Sequence, residues 1–198
     1  MRYGIDIDGV LANFGGQVIR VGNELWPGKF PEGYRPDNWN YEGYLTKEEW
    51  NRVWAAIDVT PHFWEGLKPE PGLTELRRAV ACYPNNINDE IYFITARRVT
   101  TGDSPLVQSA AWLNRFGLWP RQGYSTIIPV AEPKNKIDLF KGLGLKFMLD
   151  DYSPMVEELN KSVEGMHAYV LDQPWNRYAK ELPRVYSVAE YLEVIHKS

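Results

Sequence analysis

Five short apolar runs, each ending in or near a turn signal, constrain the architecture of this chain: Tyr3–Ile7, Glu90–Ile94, Ser125–Pro129, Lys146–Leu149 and His167–Leu171. Each is apolar at consecutive rather than alternate positions. That is the pattern of strands covered on both faces, as in a parallel sheet packed between helices. Helical patterns separate most of the runs. Leu73, Leu76, Val80 and Tyr83 follow the Pro71–Gly72 turn at spacings of three and four. Asp103 or Ser104 is placed to cap a helix with Pro105 in its first turn, and Leu106, Ala110, Leu113 and Phe116 form its stripe before Gly117. Ile137, Phe140 and Leu143 mark a third helix, Ser153–Pro154 opens a fourth and Ser187 a last. Alternating strands and helices predict an α/β fold, an open parallel sheet of about five strands flanked by helices.

Residues 15–69 break this rhythm. They carry Pro27, Pro31, Pro36 and Pro61, and much of the chain's load of eight Trp and twelve Tyr. Thr46 and Glu49 have capping-box spacing at the start of a helix expected to run to Ile57. Such a stretch is too long for an ordinary strand-to-helix loop. It is expected to be a small, mainly helical cap inserted after the first strand, over the carboxyl end of a core made of residues 1–14 and 70–198.

Composition narrows the function. Apolar residues are 44% and charged residues 24%, as in ordinary globular proteins. A net charge of −4 gives no broad footprint for polymeric nucleic acid. Cys82 is the single cysteine, so no internal disulfide is possible. Asp6 and Asp8 interrupt any leader-like apolar run, and no stretch is long enough to span a membrane. A cytoplasmic enzyme is the expectation; a homodimer is left open.

The chemistry concentrates at strand ends. Tyr3-Gly4-Ile5-Asp6-Ile7-Asp8-Gly9-Val10 sets two carboxylates two apart where an apolar strand stops, with a glycine free to turn the backbone. Such a pair can hold a hard cation, or supply a nucleophile and a general acid/base. Alone it is a common solvated strand end. Three further features reinforce it: Thr95 after the second run, the helix-start lysines Lys134 and Lys136, and the acid pair Asp150–Asp151 after the fourth. Thr95 and a lysine suit phosphate oxygens, and the second acid pair would complete a metal site. His62, His167 and His196 have no catalytic spacing, and no glycine pattern matches a nucleotide fingerprint.

The ordered set Asp6-x-Asp8-Gly9-Val10-Leu11, Thr95, Lys136 and Asp150–Asp151 resembles the four motifs of the haloacid dehalogenase superfamily of phosphohydrolases. Phe63-Trp64-Glu65-Gly66-Leu67-Lys68-Pro69-Glu70-Pro71-Gly72 and Asp172-Gln173-Pro174-Trp175-Asn176 add a similarity to the 5'(3')-deoxyribonucleotidases; Ala96-Arg97 departs from their usual sequence after the motif threonine. The resemblance implies a Rossmann-like core and a Mg2+-dependent phosphatase acting on nucleoside monophosphates. Asp6 would be the nucleophile and Asp8 the acid/base. Thr95 and Lys136, with Lys134 as the alternative, would bind phosphate. Asp6, the Asp8 carbonyl and the Asp150–Asp151 pair would hold the metal, Asp151 being favoured as direct ligand.

Phe14, Trp54, Phe63 and Arg97 are candidate substrate contacts. Tyr44, Trp50 and Trp64 join Trp54 and Phe63 as candidates for a stacking wall. Core packing explains each of these aromatics equally well, and a salt bridge explains Arg97. Alternatives to a nucleotidase are a phosphatase of nucleic-acid ends or of another small metabolite, and a silent binding protein of the same fold.

Overall fold

The computed structural model describes residues 1–82, 90–118 and 125–197. Six parallel strands among them form one sheet: β1 (Arg2–Ile5), β2 (Glu90–Ala96), β3 (Ser125–Val130), β4 (Phe147–Asp150), β5 (His167–Leu171) and β6 (Arg184–Val185). Their spatial order is β3-β2-β1-β4-β5-β6. The helices are α1 (Phe14–Leu25), α2 (Lys47–Val59), α3 (Pro71–Cys82), α4 (Pro105–Arg115), α5 (Asn135–Leu143), α6 (Ser153–Ser162) and α7 (Val188–Lys197).

The doubly apolar strands are buried as their pattern requires. Ile91 and Phe93 join a cluster with Leu73 and Leu76 of α3, Trp112 and Leu113 of α4, and Leu192 of α7. Their neighbours Tyr92 and Ile94 join the opposite cluster, with Phe140 of α5 and Met155, Val156 and Leu159 of α6. Alternate side chains of one strand thus anchor two helical layers. Of the two candidate caps for α4, Ser104 does the work, accepting from Val107 N–H. Thr46 and Glu49 make both bonds of the expected capping box on α2.

Two elements add to the expected set. β6 is a sixth strand of only two residues, following Pro183, too short for an apolar run to reveal. Helix α1 begins at Phe14, where the Gly15–Gly16 pair is a poor helix former. Asn13 caps it by accepting from Gly16 N–H at 2.6 Å, and Val18 and Val21 bury one face. Tyr83, expected on the stripe of α3, and the side chain of Cys82 lie outside the described residues.

The aromatics of the long stretch after β1 pack on one another and are continuous with the core of the sheet. Phe30, Tyr41, Leu45, Val53, Ile57 and Trp64 share one buried cluster with Ile5, Phe93 and Leu149 of the sheet. Its two ends meet: Asn13 N–H donates to Lys68 O, and Glu70 N–H to Leu11 O. Chain leaving the sheet at residue 13 therefore returns beside its point of departure.

Candidate active site

Sheet order creates the site. From β1 the chain passes to β2 and β3 on one side, then crosses to β4 and β5 on the other. Connections at the carboxyl end of β1 diverge, which opens the crevice where open α/β folds bind ligands. Asp6 lies one residue beyond β1 and its N–H donates to Leu149 O of β4 at 2.9 Å. Leu11 and Ala12 N–H both donate to Ile7 O, closing a tight loop over the strand end. Gly9 sits in that loop at φ +79°, and a Cβ there would collide with the Asp151 carboxylate. The glycine serves the turn and also lets the two acidic loops touch.

Side-chain oxygens of Asp6, Asp150 and Asp151 lie within 4.8 Å of one another, all three residues buried. Lys136, in the first turn of α5, answers them: its Nζ is 2.8 Å from Asp150 Oδ2 and 3.1 Å from Asp6 Oδ1. Lys134 instead is exposed and pairs with Glu132, so of the two helix-start lysines the structure brings Lys136 to the cluster. Asp150 is fully engaged, since its Oδ1 accepts from Tyr152 N–H. Asp151 is not. Its Oδ2 accepts from Trp175 Nε1 at 3.0 Å, while its Oδ1 is buried without a hydrogen-bond partner. A buried carboxylate oxygen without a partner, facing two more carboxylates, is a donor set suited to a hard divalent cation.

The motif Asp172–Asn176 braces this arrangement. Trp175 orients Asp151, Asn176 Nδ2 donates to Asp151 O, and Gln173 Nε2 donates to Gly9 O.

One lysine does not balance three buried carboxylates. Burial pushes the Asp6 carboxyl up to about 8; Lys136 opposes the rise, while Asp150 and Asp8 add to it. Asp151 is raised well above the usual carboxylate range by burial and then by Asp150 and Asp6. Burial alone would lower Lys136, but Asp150 and Asp6 outweigh it and hold the ammonium charged. Asp6 and Asp151 in the folded, metal-free protein therefore hold their protons to higher pH than in the unfolded chain, where a carboxyl releases its proton near pH ~4. Folded protein binding more protons means stability falls as pH rises. Its melting temperature is expected to drop by several degrees between about pH 5 and about pH 8, and Mg2+ is expected to flatten that slope by favouring the ionised carboxylates. Differential scanning fluorimetry with and without the metal reads both slopes; a flat metal-free profile would contradict the assignment.

Asp8 faces elsewhere. Its carboxylate accepts from Thr95 Oγ1 at 2.9 Å and from Arg97 at both oxygens. Its side chain therefore lies outside the cluster of Asp6, Asp150 and Asp151. Thr95 lines the cavity with its hydroxyl turned to Asp8. Arg97, a candidate substrate contact, is buried behind Asp8 and does not line the cavity.

In front of Asp6, Asp8 and Asp150 is a cavity of about 300 Å³, large enough for a small ligand. Phe14, Trp50, Trp54 and Trp64 form its aromatic wall, with Trp39 and Tyr152 added. Phe14 stacks on Trp64 and tilts against Trp54 at centroid distances of 5.8 and 5.6 Å. Phe63 is not on this wall: it packs edge-on behind Phe14 and Trp64. Tyr44 likewise packs on Tyr34 and Phe30, away from the cavity. Trp39 had no periodicity to mark it in its proline-rich stretch, and it meets Tyr152, the residue after the acid pair, at 5.2 Å. Arg98 stands at the rim, held by Asp58 and lying over Trp54.

The chain matches, over residues 1–198, a model of the family described as 5' nucleotidase, deoxy (pyrimidine), cytosolic type C protein. No curated protein matches it. Among solved structures it is similar to a haloacid dehalogenase-like family hydrolase from Xanthomonas campestris, at 13% identity and TM-score 0.54, covering 100% of this chain and 95% of the other. It is similar also to the L-2-haloacid dehalogenase from Xanthobacter autotrophicus, at 12% identity and TM-score 0.54, covering 98% of each chain. At these identities the likeness is one of fold.

Proposed function

The chain belongs to the 5'-deoxynucleotidase family and is a phosphoric monoester hydrolase, and from that premise we propose that it works as a haloacid dehalogenase-type phosphatase, removing phosphate from nucleoside monophosphates with Mg2+ as cofactor. The observation that carries the reading is the buried Asp6–Asp150–Asp151 cluster with Lys136, of which Asp6, Asp150 and Lys136 line an aromatic cavity.

Asp6 attacks phosphorus in line, forming an aspartyl-phosphate as the ester oxygen leaves. Asp8 gives its proton to that oxygen, then takes one from the water that hydrolyses the intermediate. Lys136, with the Thr95 backbone, holds non-bridging oxygens and offsets their charge. The carboxylates of Asp6, Asp150 and Asp151, with the Asp8 carbonyl, would hold Mg2+, which supplies further positive charge at the transferring phosphoryl group.

Residues 15–69 act as a cap on the core formed by 1–14 and 70–198. Their aromatics supply flat apolar faces on which a nucleobase can stack, a contact worth about 1–3 kcal/mol per base in single-strand binders. The single cysteine is compatible with a reducing cytoplasm.

A panel of nucleoside 5'- and 3'-monophosphates, sugar phosphates and a 3'-phosphorylated oligonucleotide, assayed with Mg2+, tests the substrate class. The expected result is kcat/KM for a nucleotide at least about tenfold above any sugar phosphate, roughly what one stacking contact provides. Good turnover of sugar phosphates with none of nucleotides would overturn it.

A further inference from the structure

Resting on the reading of Asp8 as the acid/base, we propose that Arg97 is its positioning residue: a buried guanidinium that fixes the direction of the Asp8 carboxylate. Arg97 is almost completely enclosed, and a buried arginine without a partner is strongly destabilising. The geometry gives it one carboxylate partner. Nε donates to Asp8 Oδ2 at 2.9 Å and Nη2 to Asp8 Oδ1 at 2.8 Å, the parallel two-bond form that fixes both the place and the plane of a carboxylate.

The guanidinium is itself held from behind. Nη1 donates to Ser109 Oγ at 2.9 Å, and Ser109 Oγ donates to Pro105 O in the first turn of α4. Its flat face lies over the Trp64 ring at 5.0 Å. Trp64 is tied to the same helix, its N–H donating to Gln108 Oε1 at 3.0 Å. Asp8 thus hangs from β2 and α4 by a rigid fork. Substrate meets only the far edge of that assembly, because Asp8, Thr95 and Trp64 line the cavity and Arg97 does not.

The fork also explains why Asp8 does not join its acidic neighbours. Asp6 and Asp150 share Lys136 with Asp151 beside them, whereas Asp8, two residues from Asp6, is turned to a cation of its own. Oδ2 of Asp8 accepts two bonds and Oδ1 only one, so the fork leaves Oδ1 with the lone pair at which a proton can move. Arg97 acts on the reaction only through Asp8.

That distinction sets the test. When Asp6 bonds to phosphorus and the ester P–O bond breaks, an alkoxide leaving group requires the Asp8 proton, while p-nitrophenolate departs without one. The kcat/KM value reports binding and this transfer step, whatever the rate of the later hydrolysis. Arg97→Met and Arg97→Lys, with Ser109→Ala as a variant that keeps the guanidinium, are compared on p-nitrophenyl phosphate and on an alkyl phosphate. Circular dichroism and thermal melts check folding.

Arg97→Met is expected to lose about 10²-fold in kcat/KM on the alkyl ester, the lower end of what a positioned acid contributes, and less than about threefold on the aryl ester. Arg97→Lys is expected to recover part of the alkyl rate, and Ser109→Ala to show a smaller loss with the same selectivity. Equal losses on both esters, or no loss on either, in the variants that fold would overturn the proposal. Asp8→Asn is the control for the underlying reading. If it does not discriminate between the esters, the assignment of Asp8 fails first; if it does and the Arg97 and Ser109 variants do not, the positioning role alone fails.

Discussion

Asp6→Asn is expected to lower kcat by about 10⁴–10⁶-fold, the range seen when one member of a catalytic unit is removed, while making the metal-free protein more stable. The two effects share one cause. Asp6 lies in a cluster of three buried carboxylates served by one lysine, and burial raises its pKa to about 8. An amide of the same shape can still accept from Lys136 and is neutral without taking up a proton. Relief of about 1–2 kcal/mol, typical of a substitution that removes functional strain, would raise the melting temperature by about 2–8 °C in a chain of this size. Loss of activity together with a gain in stability cannot come from misfolding. Thermal melts of metal-free wild type and variant, beside steady-state rates, check both. A variant that retains turnover would remove Asp6 from the mechanism.

Lys136→Met is expected to have the opposite effect on stability. It takes the one cation from the cluster and leaves buried carboxylates facing each other, a change that typically costs about 3–5 kcal/mol. At 2–4 °C per kcal/mol the melting temperature would fall by about 6–20 °C. Mg2+ should restore part of that loss, because added positive charge replaces the ammonium, whereas turnover should remain low without the group proposed to hold phosphate. A melting temperature unchanged by the substitution would mean that Lys136 does not balance the acids.

Opposite signs at two residues 3.1 Å apart distinguish an electrostatic site from a merely packed one.

Much of this site is legible in the sequence because its parts are local and ordered. Asp6, Thr95, Lys136 and Asp150–Asp151 each stand at the end of a recognisable strand or the start of a helix, and a parallel sheet brings those ends to one edge. Arg97 shows where such reading stops. Its proximity to Thr95 marks it as interesting, but an arginine that meets substrate and one buried against a carboxylate are spelled alike. Only the side-chain path to Asp8 and Ser109 separates them. Phe63 and Trp64 are adjacent, yet one packs behind the cavity and the other lines it, which follows from local backbone direction rather than composition. Helix α1 was hidden by its glycine pair and β6 by its brevity, since tertiary packing rather than propensity stabilises both.

The most direct test of the central claim is to stop the reaction with acid during turnover and locate phosphate by peptide mass spectrometry. The mass of one phosphoryl group is expected on the peptide containing Asp6, absent from Asp6→Asn and lost on incubation at neutral pH. Phosphate found on a different side chain would contradict the assignment of Asp6 as nucleophile.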